Sequence, residues 1–142
     1  MSDIDGVLVA FDGTALSKEA LDHALTVYTD APVTALHVID YVEESYSAEA
    51  LVGDEKLKER AHERSDELLS KADELAAEHD RAIETVAQVG KAADEILDFA
   101  DEHSIDVIVI GSHGRSGLSR VLLGSVAETV MRRASIPVTV VR

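Results

Sequence analysis

The sequence predicts an α/β domain in which a parallel β-sheet is covered by helices on both faces. Short apolar runs alternate along the chain with segments whose apolar residues recur at helical spacing, in the order βαβαβαβαβ. The strand expected over residues 106–110 is apolar on both faces after Asp106, as central strands of parallel sheets are. Because parallel strands need crossover connections, this alternation predicts an open sheet between two helical layers. A length of 142 residues predicts one domain, over residues 1–142.

The first predicted strand and helix meet at a turn. Residues 4–11 end in a short apolar run followed by Asp12-Gly13-Thr14, a combination typical of turns. Apolar residues then recur at helical spacing, and this helix is expected to end before residues 30–32, which contain a proline. Thr14 or Ser17 could cap its start, since either hydroxyl can accept a hydrogen bond from a backbone N–H.

The middle of the chain contains two further predicted strands, residues 33–39 and 82–89, and one long helix. Residues 40–56 carry many acids and no sustained period, which predicts a long loop with room for a short helical piece. From residue 57 to about residue 78 a helix with a charged outer face is expected. Its predicted inward face comprises Leu57, Ala61, Leu68, Ala72, Leu75 and His79.

The last third of the chain ends in a strand of particular interest. A helix is expected over residues 91–102, with Ala93, Ile96, Leu97 and Ala100 directed inward. After the strand at 106–110 and a glycine-rich loop, a short helix is expected over residues 125–133. Residues 137–141 form the fifth strand. If this strand lies at a sheet edge, its unpaired backbone groups need covering, which a symmetric dimer that pairs it with its copy would do.

The composition excludes several classes of protein. The chain has no cysteine, which excludes disulfides, zinc–thiolate sites, iron–sulfur clusters and thiol catalysis. No apolar run approaches the ~20 residues of a membrane-spanning helix, and residues 1–6 do not resemble a signal peptide. We therefore expect a cytoplasmic protein without a membrane partner.

Charge is unevenly distributed along the chain. The formal net charge is −15, from 13 Lys and Arg against 28 Asp and Glu. Residues 111–142 nevertheless hold five arginines and one acid, Glu128. An acidic surface repels nucleic acid, so no nucleic-acid partner is expected, whereas the basic segment could serve an anion. Acidic helix faces with only five lysines resemble salt-adapted proteins and predict a melting temperature that rises with salt.

The loops after the first and fourth strands, residues 10–14 and 111–125, are the candidate ligand site. In open α/β sheets, ligands bind beyond the carboxyl ends of the strands, where the strand order reverses. Glycines let backbone N–H groups approach an anion, and Gly124-Ser125 opens a helix whose N-terminus favours a phosphate. The expected hydroxyl donors are Ser112, Ser116 and Ser125. A tight turn that needs no ligand is the alternative explanation of the glycines.

Several familiar motifs of nucleotide chemistry and catalysis are missing from the sequence. Neither the P-loop pattern nor G-x-G-x-x-G occurs, and neither do HExxH and G-x-S-x-G. Dedicated catalysis is therefore not predicted. Slow ATP hydrolysis or phosphotransfer stays open, because Asp12 could hold a magnesium ion and Arg115 could clamp a phosphate. His37 is expected to be a hydrogen-bonded core residue.

One glycine spacing is informative: Gly111-x2-Gly114-x9-Gly124-Ser125. Together with the turn at residues 12–14, residues 37–40 and residues 137–138, it resembles the ATP-binding branch of the universal stress protein family over essentially the whole chain. The resemblance implies a Rossmann-like sheet of strand order 3-2-1-4-5, similar to the adenine nucleotide alpha hydrolases. It also implies a homodimer through residues 137–141 and ATP as ligand, with or without Mg²⁺.

The resemblance further implies which residues hold the nucleotide. Asp12 would contact the ribose or adenine side, and Val38 would offer its backbone to adenine. The other implied contacts are apolar walls at Ala10 and Ile110, close approach of ribose and phosphates at Gly111 and Gly114, and phosphate binding at Gly124, Ser125, Val126, Arg115 and His113. Two of these residues could instead have a structural role only, since Asp12 could order the turn and Ser125 could cap the last helix. A nucleotide-free interaction protein is the remaining alternative.

Overall fold

The computed structural model of the chain describes residues 4–44, 53–113 and 123–142. Within these ranges, strands and helices alternate along the chain. They are β1 (Val7–Ala10), α1 (Ala15–Val27), β2 (Val33–Ile39), α2 (Tyr41–Glu44), α3 (Asp54–Glu78), β3 (Glu84–Val89), α4 (Ala92–Glu102), β4 (Val107–Gly111), α5 (Ser125–Arg133) and β5 (Val138–Val141).

The five strands form one parallel sheet in the order β3-β2-β1-β4-β5. The expected fold class and strand order are thereby confirmed. In the central strand, Val7 is in register with Val33 of β2 on one side and Val107 of β4 on the other. Successive strands are added outward from β1 in both directions, so the strand order reverses between β1 and β4. Ligands of open α/β sheets bind beyond the carboxyl ends of strands at such a point.

Each face of the sheet has its own apolar core. Val7 and Val9 pack with α1 and α3 on one face, and Leu8 packs with α4 and α5 on the other. All three side chains are fully buried. Burying one such side chain contributes about 1.5–3 kcal/mol, so the central strand stabilises both layers. The helices therefore cover both faces, as predicted.

The long helix differs in detail from the sequence-based expectation. It begins at Asp54, and α2 occupies the start of the expected loop, whose residues 45–52 lie outside the described ranges. Its buried residues are Leu57, Ala61, Ser65, Leu69, Ala72 and Ala76. Leu68, Leu75 and His79 are only half-buried. The centre of the face therefore runs through Ser65, a polar residue that the apolar pattern could not identify.

Polar contacts explain two of these departures. Ser65 is buried because its Oγ lies 2.8 Å from Nδ1 of His37 on β2, which joins the helix to the sheet. His79 instead pairs with Asp22 of α1, at 2.8 Å between Nε2 and Oδ1. In α4, Phe99 is buried and Ala93 is half-buried, because the face that meets the sheet lies slightly to one side of the predicted one.

Side chains satisfy backbone groups at both ends of α1. Thr14 is the N-cap, since its hydroxyl accepts a hydrogen bond from the Ser17 N–H, whereas the Ser17 hydroxyl donates to the Thr14 carbonyl. At the other end, the Arg81 guanidinium donates to three backbone carbonyls in and after the last turn, at 2.6–3.2 Å. They belong to Leu25, Tyr28 and Ala31. Arg81 thus ties the segment between α3 and β3 to the end of α1.

Candidate functional site

A cavity of about 200 Å³ lies beyond the carboxyl ends of β1, β2 and β4, where the strand order reverses. Eight of the ten residues expected at the ligand site line it: Ala10, Asp12, Val38, Ile110, Gly111, Gly124, Ser125 and Val126. The other two, Gly114 and Arg115, lie outside the described residues, as does Ser116. His113 also lines the cavity, whereas Ser112 is not among its lining residues.

The middle of the cavity is apolar. Val38 and Ile110 border it from the ends of β2 and β4, and Ala10 from the end of β1 between them. Ile96 of α4 adds a further apolar side chain, which sequence reasoning assigned only to the core. The signal was its position in the first half of the helix that follows β3, at the same edge of the sheet. Such a slot suits a flat apolar group.

The N-terminus of α5 borders one side of the cavity. Gly124 is the N-cap residue and provides no side-chain cap, so the expected alternative that Ser125 caps this helix is wrong. The Gly124 N–H donates to the carbonyl of Ser112 at 2.6 Å. The donors left in the first turn are the N–H groups of Ser125, Val126 and Ala127, which have no partner inside the helix. Together with the helix dipole, they form an end that favours an anion.

Two glycines of the motif are required by packing inside the chain. A Cβ at Gly111 would lie 2.9 Å from Cβ of Leu16 at the start of α1. A Cβ at Gly124 would lie 2.9 Å from the Ser112 carbonyl oxygen and 3.1 Å from Cα of His113. Both distances are shorter than ordinary van der Waals contacts. The glycines therefore hold α1 and α5 close to the end of β4, whether or not they also approach a ligand.

Asp12 orders the turn after β1. Its Oδ1 accepts hydrogen bonds from the backbone N–H and the hydroxyl of Thr14, at 3.1 and 2.5 Å. Gly13, with φ of 81°, takes the left-handed conformation that glycine favours. Asp12 thus serves the turn and lines the cavity as well, so its two expected roles do not exclude each other.

Acidic side chains from the end of β2 line another part of the rim. Asp40 and Glu43 both border the cavity, and sequence reasoning missed them because they belong to the segment expected to be a loop. Asp40 caps α2, since its Oδ1 accepts hydrogen bonds from the N–H groups of Val42 and Glu43, at 2.9 and 3.3 Å. The available signal was Asp40 itself, because aspartate is a favoured N-cap residue.

The described lining of the cavity is acidic, whereas the basic residues 111–142 were expected to provide positive charge for an anion. Among the described lining residues are three carboxylates, those of Asp12, Asp40 and Glu43, and no lysine or arginine. Arg132 pairs with Glu128, and Arg133 pairs with Asp94 of α4, each at 2.8 Å. These arginines stabilise the C-terminal end of α5, where the helix dipole favours cations, and do not form an anion patch at the cavity.

The described residues contain neither a metal-binding cluster nor a membrane-spanning helix. No group of three or more His, Asp or Glu side chains there could hold a metal ion. None of the helices in these ranges is long and apolar enough to cross a membrane. His37 is buried and hydrogen-bonded through Ser65, as expected of a core histidine, although it also borders the cavity.

Comparison with known proteins assigns the chain to a family. Residues 4–142 match the model of the Universal stress protein family. The chain belongs to this family. Among curated universal stress proteins, MJ0531 of Methanocaldococcus jannaschii is 38% identical over 138 residues, which are 96% of this chain and 81% of the relative.

Solved universal stress protein structures share the fold. The structure of MJ0577, also from Methanocaldococcus jannaschii, superimposes with a TM-score of 0.84 at 27% identity and covers 99% of this chain and 96% of its own. A universal stress protein in complex with cAMP superimposes with a TM-score of 0.73 at 28% identity and covers 99% of both chains. The five-stranded parallel sheet is therefore that of other universal stress proteins.

Proposed function

We propose that this universal stress protein is a stress-response binding module that holds an adenine nucleotide, ATP in the first instance, in the cavity beyond β1, β2 and β4. The supporting observation is the juxtaposition, in one cavity, of an apolar slot and the uncapped N-terminus of α5. An apolar slot accepts a base and a helix N-terminus accepts phosphates. A relative of the same fold, 28% identical, is described in complex with cAMP.

In the proposed complex the base lies between Ala10, Val38 and Ile110. The phosphates accept hydrogen bonds from the first turn of α5, beginning at Ser125, and Asp12 faces the ribose. Gly114 and Arg115 are proposed as further phosphate contacts on the resemblance of the motif alone. Mg²⁺ would enter with ATP, because this ion is usually held by one or two carboxylates and by phosphate oxygens. Asp12 is the carboxylate that the motif offers.

The content of the purified protein tests this function. We expect the supernatant of the denatured protein to contain adenine nucleotide in stoichiometric amount, detected by chromatography. ATP that stays intact over hours in the native protein marks a binding module, whereas steady phosphate release marks an ATPase. A protein that contains no nucleotide and takes up none on titration with ATP would contradict the proposal and would favour an interaction protein with an empty motif.

We also propose a homodimer formed through the last strand. β5 lies at the edge of the sheet and pairs on one side with β4, and its four residues are half-buried in the single chain. A second copy that pairs its own β5 with this edge would cover the free backbone groups. We expect light scattering at working salt to report twice the chain mass of 15.3 kDa. A monomer mass would contradict the dimer.

A further inference from the structure

The two ends of the nucleotide cavity differ in polarity. Beyond β4, the first turn of α5 offers backbone N–H donors, whereas beyond β2 the cavity is bordered by the carboxylates of Asp40 and Glu43. β2 and β4 lie on opposite sides of β1, so the two ends are separated by two strand spacings, about 10 Å. A ligand that fills the cavity therefore needs an anion at one end and a hydrogen-bond donor at the other.

The carboxylate end is built on a tethered element. Asp40 caps α2 through two backbone hydrogen bonds. The Tyr41 hydroxyl lies 2.8 Å from Nε2 of His62 on α3, and Nζ of Lys58 lies 5.2 Å from the centre of the Tyr41 ring. Contacts of this kind, a hydrogen bond and a cation–π contact, orient α2 on the long helix. Glu43 therefore borders the cavity from a helix that is held in place by these contacts.

Glu43 is the carboxylate at this end that is not already engaged in a helix cap. Oδ1 of Asp40 already accepts two hydrogen bonds, whereas the Glu43 side chain is exposed and makes no hydrogen bond or ion pair within the described residues. An ionised carboxylate only accepts hydrogen bonds. Adenine carries an amino group at C6, which donates, and hypoxanthine carries a carbonyl oxygen at the same position, which accepts.

We infer that Glu43 selects the base, by accepting a hydrogen bond from the exocyclic amino group of a purine nucleotide. The inference rests on the proposed function and names the property by which that site distinguishes its ligand. A 6-oxo base without an amino group would place its own acceptor against the carboxylate, and both groups would lose their hydration without a replacement. Hydrogen bonds to charged groups correspond to roughly 10- to 100-fold in affinity.

Titration calorimetry of the nucleotide-free full chain with AMP and with IMP tests the selection, because these ligands share ribose and phosphate and differ at C6 and in the proton that IMP carries on the adjacent N1. We expect AMP to bind roughly 10- to 100-fold more tightly than IMP. In Glu43→Gln the amide can accept from AMP or donate to IMP, so we expect the two affinities to converge within about threefold, with that for IMP rising. Asp40→Asn keeps the helix cap and also removes one negative charge from the rim. It is expected to keep the AMP preference.

The outcomes separate this inference from the function on which it rests. Equal binding of AMP and IMP by the native protein would overturn the selection and leave nucleotide binding intact. Glu43→Gln that shifts both affinities by the same factor would also overturn it, because that result reports only the lost charge. If neither AMP nor ATP binds the native protein, the proposed function fails and the selection fails with it.

Discussion

Replacing Gly124 with valine is expected to abolish nucleotide retention, with at least a tenfold loss of affinity. Gly124 has φ of −68° and ψ of 158°, which valine adopts without strain, so the effect arises from contacts alone. The new Cβ would lie 2.9 Å from the Ser112 carbonyl oxygen, and relief requires α5 to move away from the end of β4. The N–H donors of its first turn then leave their positions at the cavity. The readout is nucleotide released on denaturation, together with titration by ATP.

Two further measurements distinguish a loss of folding stability from a loss of nucleotide contacts. Overpacking of this kind costs about 1–3 kcal/mol, so the valine variant should remain folded by circular dichroism but melt earlier. Ser125→Ala, which keeps every backbone N–H and removes only a hydroxyl, should lose much less affinity. A folded Gly124→Val protein with native nucleotide content would refute the placement of the phosphates at α5.

Replacing Arg81 with alanine is expected to lower the free energy of unfolding by about 2–4 kcal/mol, since three charge-assisted hydrogen bonds to backbone carbonyls are lost. The carbonyls of Leu25, Tyr28 and Ala31 converge on this one guanidinium, and the chain after α1 is held there against the segment between α3 and β3. A fall in melting temperature of roughly 5–12 °C corresponds to that loss. Thermal unfolding followed by circular dichroism measures it.

The matched control is Arg132→Ala. Arg132 pairs with Glu128 on the exposed side of α5, and surface pairs of this type contribute about 0–1 kcal/mol. Arg81→Lys is an intermediate case, because one ammonium cannot span the carbonyls that the planar guanidinium reaches. If the Arg81→Ala and Arg132→Ala proteins had the same melting temperature, water would satisfy the three carbonyls as well as Arg81 does.

The sheet was the most predictable part of the fold. Strands such as residues 107–111 are short apolar runs that end at turns, and their alternation with helices leaves little choice of topology. The inward face of α3 was less predictable, because Ser65 is buried by a hydrogen bond with a residue of another element and not by apolarity. A short helical piece was expected within residues 40–56, but the bounds of α2 were not predictable. Its cap at Asp40 and the contact of Tyr41 with His62 of α3 are not encoded in apolar spacing.

The cavity was predictable where it is made by the strand ends and by the glycine motif. Ala10, Val38 and Ile110 end the strands that flank the switch point, and general α/β topology locates that point. The charge of the cavity was not predictable from the distribution of charged residues along the sequence. Arg133 reaches Asp94 of α4, and Glu43 reaches the rim from a segment without periodicity. Local composition does not show which way a side chain on a helix will turn.

The hydrogen bond between His37 and Ser65 favours one axial register of the long helix on the sheet. The buried face of α3 combines leucines with small residues at intervals of three and four: Leu57, Ala61, Ser65, Leu69, Ala72 and Ala76. The pattern of large and small residues therefore contributes to the register, and Ser65 is the polar member of this face. A one-turn slide would set Ala61 or Leu69 against the imidazole and remove its hydrogen bond to Ser65, at a cost of about 1–3 kcal/mol. One buried polar pair thus adds positional specificity to a helix–sheet contact that is otherwise apolar.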